Sequence, residues 1–117
     1  MRTKLPPRRH NYSRDEKWQD QTLTVTVGFE GLGLRPSAKE VFADFAKPGS
    51  DAHAQLSDGL VLMSYALQQG LTISEISEHL GREGVLPGTP AASVLGFVAK
   101  IAAEMEHELA LQFFRGA

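Results

Sequence analysis

The chain has 117 residues, 42% of them hydrophobic and 22% charged, with a formal net charge of −2 and no cysteine. That is the length of one globular domain, with apolar content enough for a single core and no run long enough for a membrane-spanning helix. The missing cysteine excludes disulfides, thiolate metal sites and thiol or thiyl chemistry, and the basic N-terminus lacks the apolar stretch of a signal peptide, so a cytoplasmic location is expected.

The charge is uneven. Residues 1–20 hold Arg2, Lys4, Arg8, Arg9, Arg14 and Lys17 against Asp15, Glu16 and Asp20, a local balance of +3. The other residues sum to −5. A basic segment on an acidic body reads first as a solvated, partly mobile terminus, and after that as a contact for nucleic acid or an acidic protein surface. Met1 to Asp20 contains Pro6-Pro7 and little periodicity, and reads as an extended arm outside the domain, which then spans 21–117. Trp18, at the end of the arm, is the residue expected to pin it to the body; base stacking by one isolated ring is the weaker reading.

Residues 21–29, QTLTVTVGF, alternate without a break. Leu23, Val25, Val27 and Phe29 face one way and Thr22, Thr24 and Thr26 the other, the pattern of a strand with one buried face. Gly31, Gly33 and Pro36 mark a connection. Residues 39–46, KEVFADFA, read as a second strand with Val41, Ala43 and Phe45 on one side and Phe42 on the other. The short link makes the pair an antiparallel hairpin. Gly28, Gly31 and Gly33 do not have the dinucleotide-binding spacing, and no helix follows them to receive a phosphate, so they read as turn geometry.

From Ser50 to Gly81 the pattern becomes helical. Leu56, Leu60, Met63 and Leu67 recur at helical spacing behind Ser50 as N-cap, with Asp51 at the positive end of the dipole and Gly70 at C′. Thr72 and Glu75 then form a capping box, with Leu71 and Ile76 as its hydrophobic staple. Ile73, Ile76 and Leu80 give this second helix its apolar face, and Gly81 ends it. Residues 82–88 read as a loop. Thr89 is expected to cap a third, long helix, with Pro90 at its first position. Val94, Val98, Ile101, Met105 and Leu109 form its main stripe. Ala91, Leu95, Ala99 and Ala102 form a flatter one that would admit another helix, and Lys100 with Glu104 is an i, i+4 pair. Phe113 and Phe114 are expected to fold back onto the core or a partner.

Candidate chemistry is sparse. Glu104, Glu106, His107 and Glu108 are dense, but the zinc-protease pattern needs a second histidine where Leu111 stands, so a solvated acidic face is the reading. His10, His53 and His79 fall in the arm or on outer helix sides, and Ser57, Ser64 and Ser93 have no companion histidine and acid that spacing can show. The chain therefore reads as a non-enzyme that calls for no metal or cofactor. Residues 70–81 are similar to the first helix and turn of helix-turn-helix modules. The helix that would enter the major groove, however, opens Thr89-Pro90-Ala91-Ala92-Ser93-Val94 and offers nothing to read base edges. DNA binding is the runner-up, with the arm as its electrostatic support.

A resemblance spans most of the chain. Leu5-Pro6-Pro7-Arg8-Arg9 is similar to the L-P-x-R-R stretch that opens the C-terminal TSCPD-type domain of adenosylcobalamin-dependent (class II) ribonucleotide reductases. Thr24-Val25-Thr26-Val27-Gly28 resembles that domain's first strand, and Lys39-Glu40-Val41-Phe42-Ala43-Asp44 its G-E-[IV]-F-[IA]-D strand. Lys47-Pro48-Gly49-Ser50 resembles its K-x-G-[AS] turn. Ala66-Leu67-Gln68-Gln69-Gly70-Leu71 is similar to its G-L-Q-Y-G-V, and Ser93-Val94-Leu95-Gly96-Phe97-Val98 to its S-I-L-D-Y-[VI]. In the reductases the radical chemistry uses cysteines of a barrel that precedes this domain. The present sequence has neither barrel nor cysteine and lacks the Thr-Ser-Cys-Pro-Asp signature, so no catalytic or cobalamin-binding residue carries over. The resemblance implies a free-standing accessory or regulatory relative.

The fold expected is α+β: a two-stranded antiparallel hairpin packed on three helices, with the arm outside. A lone hairpin leaves two edges open, so a homodimer is expected through strand edges, the alanine face of the last helix, or both. The function expected is a non-catalytic accessory domain working by protein–protein contacts, its partner a reductase subunit or another protein of nucleotide metabolism. Lys4, Arg8 and Arg9 are the candidate contacts to an acidic surface or phosphate.

Overall fold

The computed structural model describes residues 10–31, 35–44, 50–82 and 93–116, the last four without their side chains. The fold is α+β, as expected, but its sheet has three strands: β1 (His10–Trp18), β2 (Gln21–Glu30) and β3 (Ser37–Asp44), in spatial order β1-β2-β3 and antiparallel throughout. The expected two-stranded hairpin is β2 with β3. The correction lies in the expected arm, because from His10 onward it is a full strand, in register with β2 from His10 opposite Phe29 to Trp18 opposite Gln21. Two residues, Gln19 and Asp20, turn the chain between them. Gln19 takes φ of 54°, a left-handed conformation usually left to glycine or asparagine. Trp18 does hold the segment to the body, its ring 5.0 Å from that of Phe97. Tyr12 meets Phe29 edge-on at 6.0 Å.

The inner face of β2 is the centre of the core. Leu23, Val25, Val27 and Phe29 are all fully buried, which is what their alternation required. Strand β3 departs from strict alternation. A bulge sets Gly28 opposite Glu40 but Phe29 opposite Ala38, leaving Lys39 as the extra residue. The inward side therefore switches from Ala38 to Val41, and Glu40, Phe42 and Asp44 alternate outward.

Three helices follow: α1 (Asp51–Gln68), α2 (Ile73–His79) and α3 (Val94–Gly116). Their local chemistry explains the ends. The Ser50 hydroxyl accepts from the His53 amide at 3.2 Å. At the other end Gly70, with φ of 111°, is C′ of a Schellman motif: its N–H donates to Leu67 O and that of Leu71 to Ala66 O. The Thr72–Glu75 capping box is present in both directions. Helix α3 begins at Val94, with the Ser93 hydroxyl accepting from the Gly96 amide at 3.1 Å; the expected cap Thr89 and Pro90 lie outside the described residues. Its backbone stays helical through Phe113 and Phe114.

Packing then follows from the apolar faces. Leu56, Leu60, Met63 and Leu67 of α1 and Val98, Ile101, Met105 and Leu109 of α3 close on the inner face of the sheet. Burial of such side chains stabilises by about 1.5–3 kcal/mol each. Ile73 of α2 is fully buried, and Ala99 and Ala102 of α3 are at zero exposure within the chain. The alanine face expected to pair two copies is thus already occupied. Two glycines permit close helix approach: a Cβ on Gly59 would meet Leu95 methyls at 2.8 and 3.1 Å, and one on Gly96 would meet the Leu80 and Gly81 backbone at 2.7–2.9 Å.

Candidate interaction surface

The outer edge of β3 comes first, since an open edge invites pairing with another chain. Here α1 runs along it and satisfies it with side chains. The Val41 amide donates to Ser64 Oγ at 3.1 Å, and the Ser64 hydroxyl donates on to Val41 O at 3.5 Å. Gln68 Nε2 donates to Lys39 O at 3.2 Å, and Lys39 Nζ donates to Leu67 O at the C-terminal end of α1, where a cation is favoured. The Ala38 amide is taken by Glu106 Oε2 of α3 at 2.7 Å. Helices therefore close this edge from Ala38 to Val41 and compete there with any added strand. On the other side of the sheet no described strand adds to β1.

Where α1 passes the outer face of the sheet it leaves a groove of about 290 Å³. Thr24 and Thr26, the threonines that alternation had placed on the far side of β2, form its floor. Phe42 and Asp44 of β3 form one wall, and His53, Ser57 and Val61 of α1 the other. The floor is tied to β1: the Thr24 hydroxyl donates to Asp15 Oδ1 at 2.6 Å, and Ser13 Oγ lies 2.7 Å from Thr26 Oγ1. The rim is apolar. Phe42 is 54% exposed, Val61 51%, Leu62 69% and Tyr65 44%. Val61 and Tyr65 are four apart and Leu62 is three from Tyr65, so the three follow one another round the exposed side of α1, with Phe42 facing Val61 across the groove. Large apolar side chains gathered on a surface signal binding, whereas scattered ones do not.

Elsewhere the polar candidates are spent on structure. Arg14 pairs with Glu108 of α3 and lies 3.9 Å from Glu16, which ties β1 to α3. Glu106 holds β3, so the acidic run of α3 is divided between two contacts; among the described residues no group of three or more histidines and acids could hold a metal ion. Ser64 closes the edge and Ser93 caps α3. His79 lies exposed in the last turn of α2. The titration of Glu75, in the first turn of α2, is displaced. Its carboxylate accepts from the Thr72 amide and then the Thr72 hydroxyl, and those bonds hold its pKa below the ordinary value of 4.5. Lys4, Arg8 and Arg9 lie outside the described residues. The first turns of α3, which a helix-turn-helix would offer to DNA, are committed to packing through Gly96, Phe97, Val98 and Ala99. Among the described helices none is long and apolar enough to cross a membrane.

A family model of the TSCPD domain matches residues 1–106, nearly the whole chain. The chain belongs to the TSCPD domain family. Such domains occur in class II ribonucleotide reductases, so the resemblance carried by the strand and helix motifs holds. No curated protein and no solved structure matches the chain. In this TSCPD domain, the segments resembling the family's G-E-[IV]-F-[IA]-D and G-L-Q-Y-G-V motifs are β3 and the end of α1, the two elements joined by Ser64, Gln68 and Lys39.

Sequence reasoning placed Phe42 outward but did not single out Val61, Leu62 and Tyr65. Their signal was present. They sit beside the buried stripe of α1 at positions where a solvated helix carries polar residues.

Proposed function

We propose that this TSCPD domain is a non-catalytic accessory module of ribonucleotide reductase-related proteins, which works by holding another protein against the face formed by α1 and β3. The observation that carries the reading is the exposed patch of Phe42, Val61, Leu62 and Tyr65 around a groove, on a face whose strand edge is closed from Ala38 to Val41. The two threonines of the groove's floor are bonded to β1, Thr24 to Asp15 and Thr26 to Ser13, which suits a surface for contact.

The test is sedimentation velocity of the full chain with a purified class II reductase subunit, comparing wild type with Phe42→Ser/Leu62→Ser. Both side chains are more than half exposed, so the variant keeps its core, and circular dichroism checks that it does. A complex with wild type that the variant loses supports the reading; a variant that binds as wild type does overturns it. The same runs read self-association. A second copy has its place along the outer edge of β1, where it would extend the sheet, and a chain that stays monomeric at micromolar concentration rules that pairing out.

A further inference from the structure

We infer that the occupant of the α1–β3 face is a basic amphipathic helix, that is, a helix with an apolar stripe flanked by lysine or arginine. The inference rests on the interaction reading above and adds the chemistry of the partner.

The first argument concerns backbone. A partner that added a strand here would need the outward N–H and C=O groups of β3, and Ser64 already holds both of Val41 and Gln68 the carbonyl of Lys39. An element that satisfies its own backbone and offers only side chains fits instead, and an amphipathic helix laid in an apolar groove is that element. Helix α1 supplies 18 residues, about 27 Å, along which such a helix can lie.

The second argument concerns charge. Asp44 stands in the wall of the groove, and Asp15 is bonded to Thr24 in its floor. On α1, Asp58 is three and four residues from Val61 and Leu62, so it lies beside them on the helix surface, and Asp51 is two turns earlier on the same side. Among the described residues, the basic side chains of this face are Lys17 of β1, next to Thr22, and His53. Carboxylates thus surround the apolar patch. A second copy docked face to face would set these carboxylates against one another, which disfavours that pairing. Cations flanking an apolar stripe would meet them while the stripe covers Phe42, Val61 and Leu62.

Two synthetic helices test this: an amphipathic peptide of leucine and lysine, about 18 residues long to match α1, and its leucine–glutamate counterpart. Each is titrated into the ¹⁵N-labelled full chain, with amide shifts giving the place of binding and the dissociation constant. The lysine peptide is expected to shift Thr26, Phe42, Val61 and Leu62 and to bind about tenfold more tightly than the glutamate peptide. Asp44→Asn/Asp58→Asn should abolish most of that preference, whereas Glu78→Gln/Glu104→Gln, on α2 and α3, should leave it intact. If both peptides bind this face equally, the basic partner is overturned and the interaction face stands. If Glu78→Gln/Glu104→Gln removes the preference as fully, or Asp44→Asn/Asp58→Asn leaves it intact, the basic partner is likewise overturned; if the shifts fall elsewhere, both ideas fall.

Discussion

Gly59 and Gly96 both lie in helices and neither has a positive φ, yet replacing each with alanine should have different effects. Alanine gains about 1 kcal/mol over glycine in a helix interior, where Gly59 lies, and somewhat less in a first turn, where Gly96 lies. At Gly59 the new methyl meets only the Leu95 side chain, at 2.8 Å from Cδ2 and 3.1 Å from Cδ1, and that side chain can rotate. The overpacking cost should be about 1 kcal/mol, leaving stability nearly unchanged. At Gly96 the methyl would sit 2.7 Å from Leu80 O and 2.9 Å from Gly81 Cα and Leu80 C. These are backbone atoms at the end of α2, and they yield only if α2 moves off α3. That places the cost at the upper end of overpacking, about 3 kcal/mol, for a net loss of about 2 kcal/mol. Urea unfolding followed by circular dichroism measures both, with the midpoint falling for Gly96→Ala and staying put for Gly59→Ala at unchanged slope. If Gly96→Ala matches Gly59→Ala, the close approach of α2 to α3 does not hold, and the account of how α3 is seated fails with it.

Ser64→Ala removes the hydroxyl that pairs both Val41 backbone groups, and Val41 is fully buried, so a loss of about 1–3 kcal/mol is expected in the same unfolding assay. A Ser64→Ala protein as stable as wild type would mean that water reaches this edge. The capping box supplies a pH test. Because the folded state holds the Glu75 pKa below its ordinary value, the stabilisation from its ionised form is present above that ordinary value and is lost as pH falls through the lowered one. The stability difference between wild type and Glu75→Gln should therefore be constant above about pH 5 and shrink in more acid solution. A difference that stays level down to the acid transition would refute that cap electrostatics.

Much of the domain is legible in one dimension because its signals are local. The alternation of residues 21–29, the stripe of α1, the Ser50 cap, the Gly70 terminus and the Thr72–Glu75 box each arise from neighbours within a few residues, and each is where the sequence put it. Strand β1 was not legible, for a physical reason. Its inward residues include Arg14 and Glu16, which cover the core rim by pairing rather than by greasiness, and its turn is Gln19-Asp20, without the glycine or asparagine that announces a hairpin. Only the long-range pairing with β2 and the Trp18–Phe97 contact make it a strand.

The sequence alone determined that the chain has a threonine face on one strand, an apolar stripe on the next helix and no thiol chemistry, because composition and period suffice for those. Tertiary structure decided which of those faces remain open. The alanine face of α3 became core, the edge of β3 was closed by Ser64 and Gln68, and the outer flank of α1 was left bare beside Phe42. A residue's own period fixes which way it points along its element, but only the packing of distant elements fixes whether anything is there to meet it.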